Sequence, residues 1–171
     1  NRRVQSYDLF GRQLGVLIDL ASPALVSAVS RVDPVALATD RGGALYLADA
    51  DRDRVLSFDF AGRFVRVIGG FGSRPGAFRG LAGLALAPRG ELVTAERLNA
   101  RIQRLDAGGR AVAAWPIAVR PGRGAIAVAV DDSSRVAVAD EITGRLWLFD
   151  AVGRPLGALA GLEGPRALVF A

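Results

Sequence analysis

The groups able to do chemistry in this chain are carboxylates and guanidinium groups. It contains no histidine and no cysteine, and all its basic residues are arginine. That removes the commonest general base, the commonest metal ligand and any thiolate or disulfide. Ser73, Ser133 and Ser134 therefore have no imidazole to activate them, and no catalytic residue is assigned. What remains is a recurrent pair of opposite charges five residues apart: Asp49/Arg54, Glu96/Arg101 and Asp140/Arg145. Such pairs could ring a central mouth and hold an anionic ligand. They could equally be a structural clamp made once per repeat. Repetition favours the clamp, because a ligand site usually breaks symmetry.

Two further patterns invite a ligand. Asp49, Asp51 and Asp53 alternate as in a calcium loop, but the glycine and bidentate glutamate such a loop needs do not follow. The glycine-rich run from Gly69 to Gly76 lacks the Gly-Lys-Ser/Thr ending of a phosphate loop, and no helix follows it. It reads as a connector. No metal and no cofactor is expected.

The elements that would position these residues are set by a repeat. Four times the chain runs Arg, then Asp five residues on, then Gly-Arg: Arg3–Asp8–Gly11–Arg12, Arg54–Asp59–Gly62–Arg63, Arg101–Asp106–Gly109–Arg110 and Arg145–Asp150–Gly153–Arg154. Asp8, Asp59, Asp106 and Asp150 step by 51, 47 and 44 residues. A period of this size filled with strands marks a propeller or another repeat array. Each aspartate precedes a glycine turn and should accept local backbone N–H groups.

Within a unit the strand signals are short. From Asp33 the chain shows apolar Val35–Thr39, the turn Asp40-Arg41-Gly42-Gly43, apolar Ala44–Ala48, alternating Arg54–Asp59, a glycine turn and Arg63–Ile68. Four short strands joined by tight turns make an antiparallel meander. The first strands alternate small and large apolar residues, which suits the crowded axis of a propeller. No run of twelve residues carries a helical period free of Gly or Pro, so a helical solenoid is disfavoured. The segment from Leu20 to Ser30 reads as a loop with a weak strand or turn.

The expected fold is therefore all-β: a β-propeller of four-stranded antiparallel blades, with about three complete blades and partial blades at both ends. Residues 1–20 read as the end of a blade, 33–69, 81–115 and 124–160 as blades, and 161–171 as the first strand of a next one. Joining the ends would supply strands one, three and four of a fourth blade but no second, which argues against a closed four-bladed ring. The chain reads as a fragment of a larger propeller, with cover of its open faces by a second chain as the alternative. An uncovered blade face of several hundred Å² would forgo on the order of 10 kcal/mol at ~25 cal/mol per Å².

Net charge is +5 and half of the residues are apolar, with abundant Ala and Gly. A basic surface for nucleic acid competes with the codon bias of a GC-rich genome as the source of this charge, and the latter fits the joint excess of Arg, Ala and Gly. The arginines are interspersed with acids rather than gathered in a stripe. No apolar run reaches membrane-spanning length.

At Asp33-Pro34-Val35, Tyr46-Leu47-Ala48-Asp49, Asn99-Ala100-Arg101-Ile102-Gln103 and the connector from Gly69 to Phe78, the chain resembles the NHL repeat. Glu96 stands where the family has Asp, and the segment after Trp115 lacks the Gly-Phe connector. The resemblance implies a six-bladed propeller of which this is part. It implies a bacterial chain of the kind often exported, periplasmic or secreted. It allows three roles: a non-catalytic scaffold for protein or small anionic ligand, a metal-dependent lactonase or lyase, or an RNA-binding propeller. The scaffold reading leads, with Arg52, Arg97, Leu98, Asn99, Ile142, Thr143 and Trp115 as the contact residues. These vary between repeats while the framework does not, and specificity sits in variable loops on a fixed scaffold. Trp147, inside a strand, is expected in the core, and Trp115, beside Pro116, on the surface.

Overall fold

The computed structural model describes residues 2–119 and 126–170. Fourteen strands and one helix are assigned among them. Strands β1 (Arg3–Tyr7) and β2 (Gln13–Asp19) form a hairpin, followed by helix α1 (Pro23–Val29). Three four-stranded antiparallel meanders follow. The first comprises β3 (Pro34–Thr39), β4 (Leu45–Asp49), β5 (Arg54–Phe58) and β6 (Phe64–Gly69). The second comprises β7 (Leu81–Leu86), β8 (Leu92–Glu96), β9 (Arg101–Leu105) and β10 (Ala111–Pro116). The third comprises β11 (Ile126–Val130), β12 (Val136–Asp140), β13 (Arg145–Phe149) and β14 (Pro155–Leu159).

The sheets stack face to face around their first strands, with β3 and β11 both against β7. Strand patterning follows from this stacking. Strands β5, β8 and β12 are sandwiched and buried at every residue. Apolar residues therefore fall on both faces of these strands, interrupted by the buried polar Arg54, Ser57, Thr94, Glu96 and Asp140. The fourth strands β6 and β10 lie at the periphery, and each buries a single residue, Ile68 and Trp115.

Three apolar cores separate the layers. The β2 and α1 side chains Ile18, Leu25 and Val29 pack on Leu45, Leu47 and Phe58. Ala48, Val55 and Ile68 meet Phe78, Leu84 and Leu105 across the next gap. Val93, Ile102 and Trp115 meet Ile126, Val138 and Phe149 across the last.

Three sequence expectations are corrected. The segment from Leu20 to Ser30 contains helix α1. Ser22 caps it, its hydroxyl accepting from Leu25 N–H at 3.4 Å, and Pro23 occupies the first turn. Proline costs nothing there because its missing N–H would be unpaired anyway. Trp115, expected on the surface, is buried, and Trp147 is half-buried and packs against the same core as expected. The Trp115 ring packs on Phe149 with centroids 5.9 Å apart, because the third sheet covers the end of β10. Residues 160–170 form no strand. Arg166, Ala167 and Leu168 lie along the axis, lining a cavity of about 220 Å³ with residues of β3, β7 and β11.

Candidate binding surface

The antiparallel order puts two sets of segments at opposite ends. One end carries the loops between second and third strands together with the connectors that lead into each first strand. The other carries the turns between first and second strands and between third and fourth.

At the connector end the charged pairs do a definite job. Arg54 Nε donates to Asp49 Oδ2 at 2.8 Å, and its guanidinium also donates to the carbonyls of Val29 and Arg31. Asp49 Oδ1 accepts from Asp33 N–H at 2.8 Å. The pair thus captures both backbone polarities of the segment entering β3. The second sheet repeats this. Arg101 Nε donates to Glu96 Oε1 at 2.8 Å, and its terminal nitrogens donate to the carbonyls of Ser73, Arg74 and Ala77. Glu96 also accepts from Arg79 N–H, Asn99 Nδ2 and Gln103 Nε2. Asn99 Nδ2 in turn donates to Gly72 O at 3.0 Å. The glycine-rich segment is therefore a connector pinned by side chains of its own sheet. Buried charges are tolerated when they are paired and hydrogen-bonded, and these are both.

The third sheet departs from the expected spacing. Asp140 pairs with Arg97 of the second sheet at 2.8 Å, both side chains being buried, while Arg145 is exposed. Asp140 also accepts from Thr143 Oγ1 at 2.7 Å. Burial pushes the Asp140 carboxyl up, but the bonds from Thr143 and Arg97 outweigh it and hold it below the ordinary carboxylate range. The segment entering β11 overlaps residues 120–125, outside the described residues.

The seven contact candidates therefore divide. Arg52, Leu98 and Ile142 are exposed at the connector end, and Arg52 lies 3.8 Å from Asp51. Asn99 and Thr143 are partly buried and bonded to clamp carboxylates. Arg97 and Trp115 are inside the fold, Arg97 because Asp140 draws it in and Trp115 because the third sheet covers it. Sequence reasoning missed Phe71, an exposed aromatic on the pinned connector. Its position in a glycine-rich stretch was the available signal. Asp49 and Asp53, two members of the calcium-like alternation, are engaged in backbone and arginine contacts: Asp53 Oδ1 accepts from Leu81 N–H at 2.7 Å. Among the described residues no group of three or more carboxylates converges.

At the opposite end the turn aspartates behave alike. Asp59 Oδ1 accepts from the N–H groups of Ala61 and Arg63, and Asp8, Asp106 and Asp150 do the same at their own turns. The backbone N–H of the arginine four residues on, Arg12, Arg63, Arg110 or Arg154, is what chiefly lowers each carboxyl. Asp131 makes the same bond to Arg135 N–H. The first-to-second-strand turns surround a cavity of about 390 Å³ at the axis, across which Arg41 and Asp132 approach to 3.8 Å.

No protein-family model and no curated protein matches this sequence. Solved structures do. In a nidogen/laminin complex, a chain 21% identical superposes with a TM-score of 0.72 over 99% of this chain and 60% of its own. Streptogramin B lyase gives 0.66 at 12% identity, covering 94% and 48%. Virginiamycin B lyase from Staphylococcus aureus gives 0.65 at 10% identity, covering 98% and 53%. This chain spans between 48% and 60% of the length of these three proteins. At these identities the likeness is one of fold. The chain folds as an arc of a β-propeller, three complete four-stranded blades with a two-stranded half-blade ahead of them.

Proposed function

We propose that this arc belongs to an NHL-type propeller and serves as a non-catalytic scaffold that recognises a protein partner through its connector-end loops. One observation carries the reading. The repeated charges Asp49, Arg54, Glu96 and Arg101 are engaged within the fold, and the exposed positions between them differ from sheet to sheet. Leu98 and Ile142 occupy the same place in their loops, and Arg52 stands one place further along in the first. A rigid frame bearing dissimilar exposed side chains is what selective recognition requires. The partner this surface suits presents apolar groups for Leu98, Ile142 and Phe71 and a carboxylate for Arg52. The match to a chain from the nidogen/laminin complex is in keeping with a propeller that works through protein contact.

Photo-crosslinking residues placed singly at 52, 98 and 142, with controls at 60 and 152 on the opposite end, test the reading in host cells. A discrete crosslinked protein from the first group and not from the controls is expected. Equal capture from both ends would refute it. So would retention of single-stranded RNA at ~0.1 M salt with a steep salt dependence, because the main ligand would then be a polyanion.

A further inference from the structure

The connector between the first and second sheets is built to hold one aromatic ring in water. Phe71 is 74% exposed. Gly70 and Gly72 on either side of it have φ of 149° and 154°, in the range that favours glycine. The stretch is fixed along its length. Gly72 N–H donates to Phe78 O at 2.7 Å and Phe78 N–H to Gly70 O at 2.8 Å. Asn99 holds Gly72 O, and Arg101 holds the carbonyls of Ser73 and Arg74. Phe78 itself is buried in the core between the two sheets. A ring already fixed in place loses little freedom on contact, which is what an anchor residue requires.

Two neighbouring loops complete a patch. Leu98 N–H donates to Arg79 O at 3.2 Å and Arg97 N–H to Gly80 O at 2.8 Å, so the Leu98 loop lies against residues 79–80. Leu98 is half exposed, and a Cβ on Gly80 would come within 2.8 Å of it. On the next residue, Leu81 N–H donates to Asp53 Oδ1, which draws in the loop carrying Arg52.

The charge of this patch is one-sided. Arg52, Arg74 and Arg79 are exposed, and neither the Arg74 nor the Arg79 side chain pairs with a carboxylate among the described residues. Of the carboxylates on these segments, Asp49, Asp53 and Glu96 are engaged within the fold. Asp51 alone is exposed, 3.8 Å from Arg52. The seam between the first two sheets therefore sets apolar Phe71 and Leu98 among three guanidinium groups with a surplus of positive charge.

We propose that this seam takes an acidic segment of a partner protein in which carboxylates flank an apolar side chain. Phe71 and Leu98 receive the apolar group, and Arg74 and Arg79, with Arg52 beyond, bind the carboxylates through charge-assisted N–H donors. A single-stranded nucleic acid would also meet guanidinium groups, but it is gripped by bases stacked on successive aromatic rings. Phe71 is the one exposed aromatic at this end among the described residues, and Leu98 offers no π-face. The site rests on the protein-recognition reading and narrows it to one seam and to an acidic partner.

Panning a random-peptide display library on the immobilised full chain tests it, followed by fluorescence anisotropy of the enriched peptides in solution. Enriched sequences are expected to combine Asp or Glu with Leu, Ile or aromatic residues. Phe71→Ser and Arg79→Glu should each weaken their binding by about tenfold or more, and Phe60→Ser, at the turn end, should leave it unchanged. All three side chains are exposed, and circular dichroism verifies that each variant is folded. A selection without an acidic-apolar consensus, or binding indifferent to Phe71 and Arg79, would overturn the site. A discrete protein crosslinked at positions 52, 98 and 142 would in that case still uphold recognition by the connector end. Oligouridylate RNA that binds the chain and is released by Phe71→Ser would overturn both.

Discussion

Arg97 of the second sheet and Asp140 of the third form a buried ion pair, 2.8 Å apart, that bridges two repeats. Spacing within a repeat would instead join Asp140 to Arg145, which is exposed. Removing one partner of such a pair leaves the other charge buried without compensation, at a cost of about 3–5 kcal/mol. Arg97→Met should therefore lower stability by roughly that amount, while Arg145→Ala should stay within about 0.5 kcal/mol. Urea denaturation of the two variants checks this. The reverse ranking would show that the repeat-internal pair holds the third sheet.

The same carboxylates set the response to acid. Asp8, Asp59, Asp106, Asp131, Asp140 and Asp150 all titrate below their ordinary value of 3.8 when folded. Between the folded and unfolded values the unfolded chain binds more protons, so stability rises with pH there. Their contribution is fully present above about pH 5 and drains away as pH falls below about 4. With no histidine and no cysteine, no side chain titrates near neutrality in its ordinary state. Thermal melts should give a flat Tm from about pH 5 to 8 and a fall below about 4. A step in Tm between those neutral limits would contradict the assignment.

How much of this was legible beforehand depended on the distance between partners along the chain. Asp59 and Arg63 are four residues apart, and a turn aspartate before glycine announces its own bonds. Asp49 and Arg54 face each other across one tight loop, so their spacing was enough. The strands were legible from runs of apolar residues between turn signals. Arg97 was misplaced because its partner lies in the next repeat, and no local rule ranks Asp140 above open solvent. Trp115 was misplaced for the same reason, since the ring is covered by Gly153 and Phe149 of the following sheet. Helix α1 escaped because seven residues are too few to show a helical period, although Ser22-Pro23 carried a start signal.

The clamp on the glycine-rich connector predicts a local effect. Arg101 holds the carbonyls of Ser73, Arg74 and Ala77, and hydrogen bonds to a charged group are worth about 1.5–3 kcal/mol. Arg101→Ala should speed hydrogen exchange of the Gly72 and Phe78 amides by tens of fold or more. Both amides bond across this segment, Gly72 N–H to Phe78 O and Phe78 N–H to Gly70 O. Amides of β5, on the first sheet, should exchange as before. Uniform acceleration would mean that Arg101 supports the whole arc rather than its connector.

Two glycines separate conformational cost from packing cost. Gly11 and Gly62 share φ 77° and the same place in their turns. A Cβ at Gly11 meets nothing, whereas at Gly62 it meets Leu17 O and Ile18. Alanine at either pays the left-handed penalty of about 1–2 kcal/mol. At Gly62 it must also push β2 outward, adding about 1–3 kcal/mol of overpacking. Gly62→Ala should thus be the more destabilising by that second amount, and the difference should reach the β2 and α1 layer that packs on Leu45 and Phe58. Urea denaturation of the two variants makes the comparison. Equal losses at the two sites would show that the glycine turns repeat for their backbone conformation alone and that the close seating of one blade on the next contributes nothing.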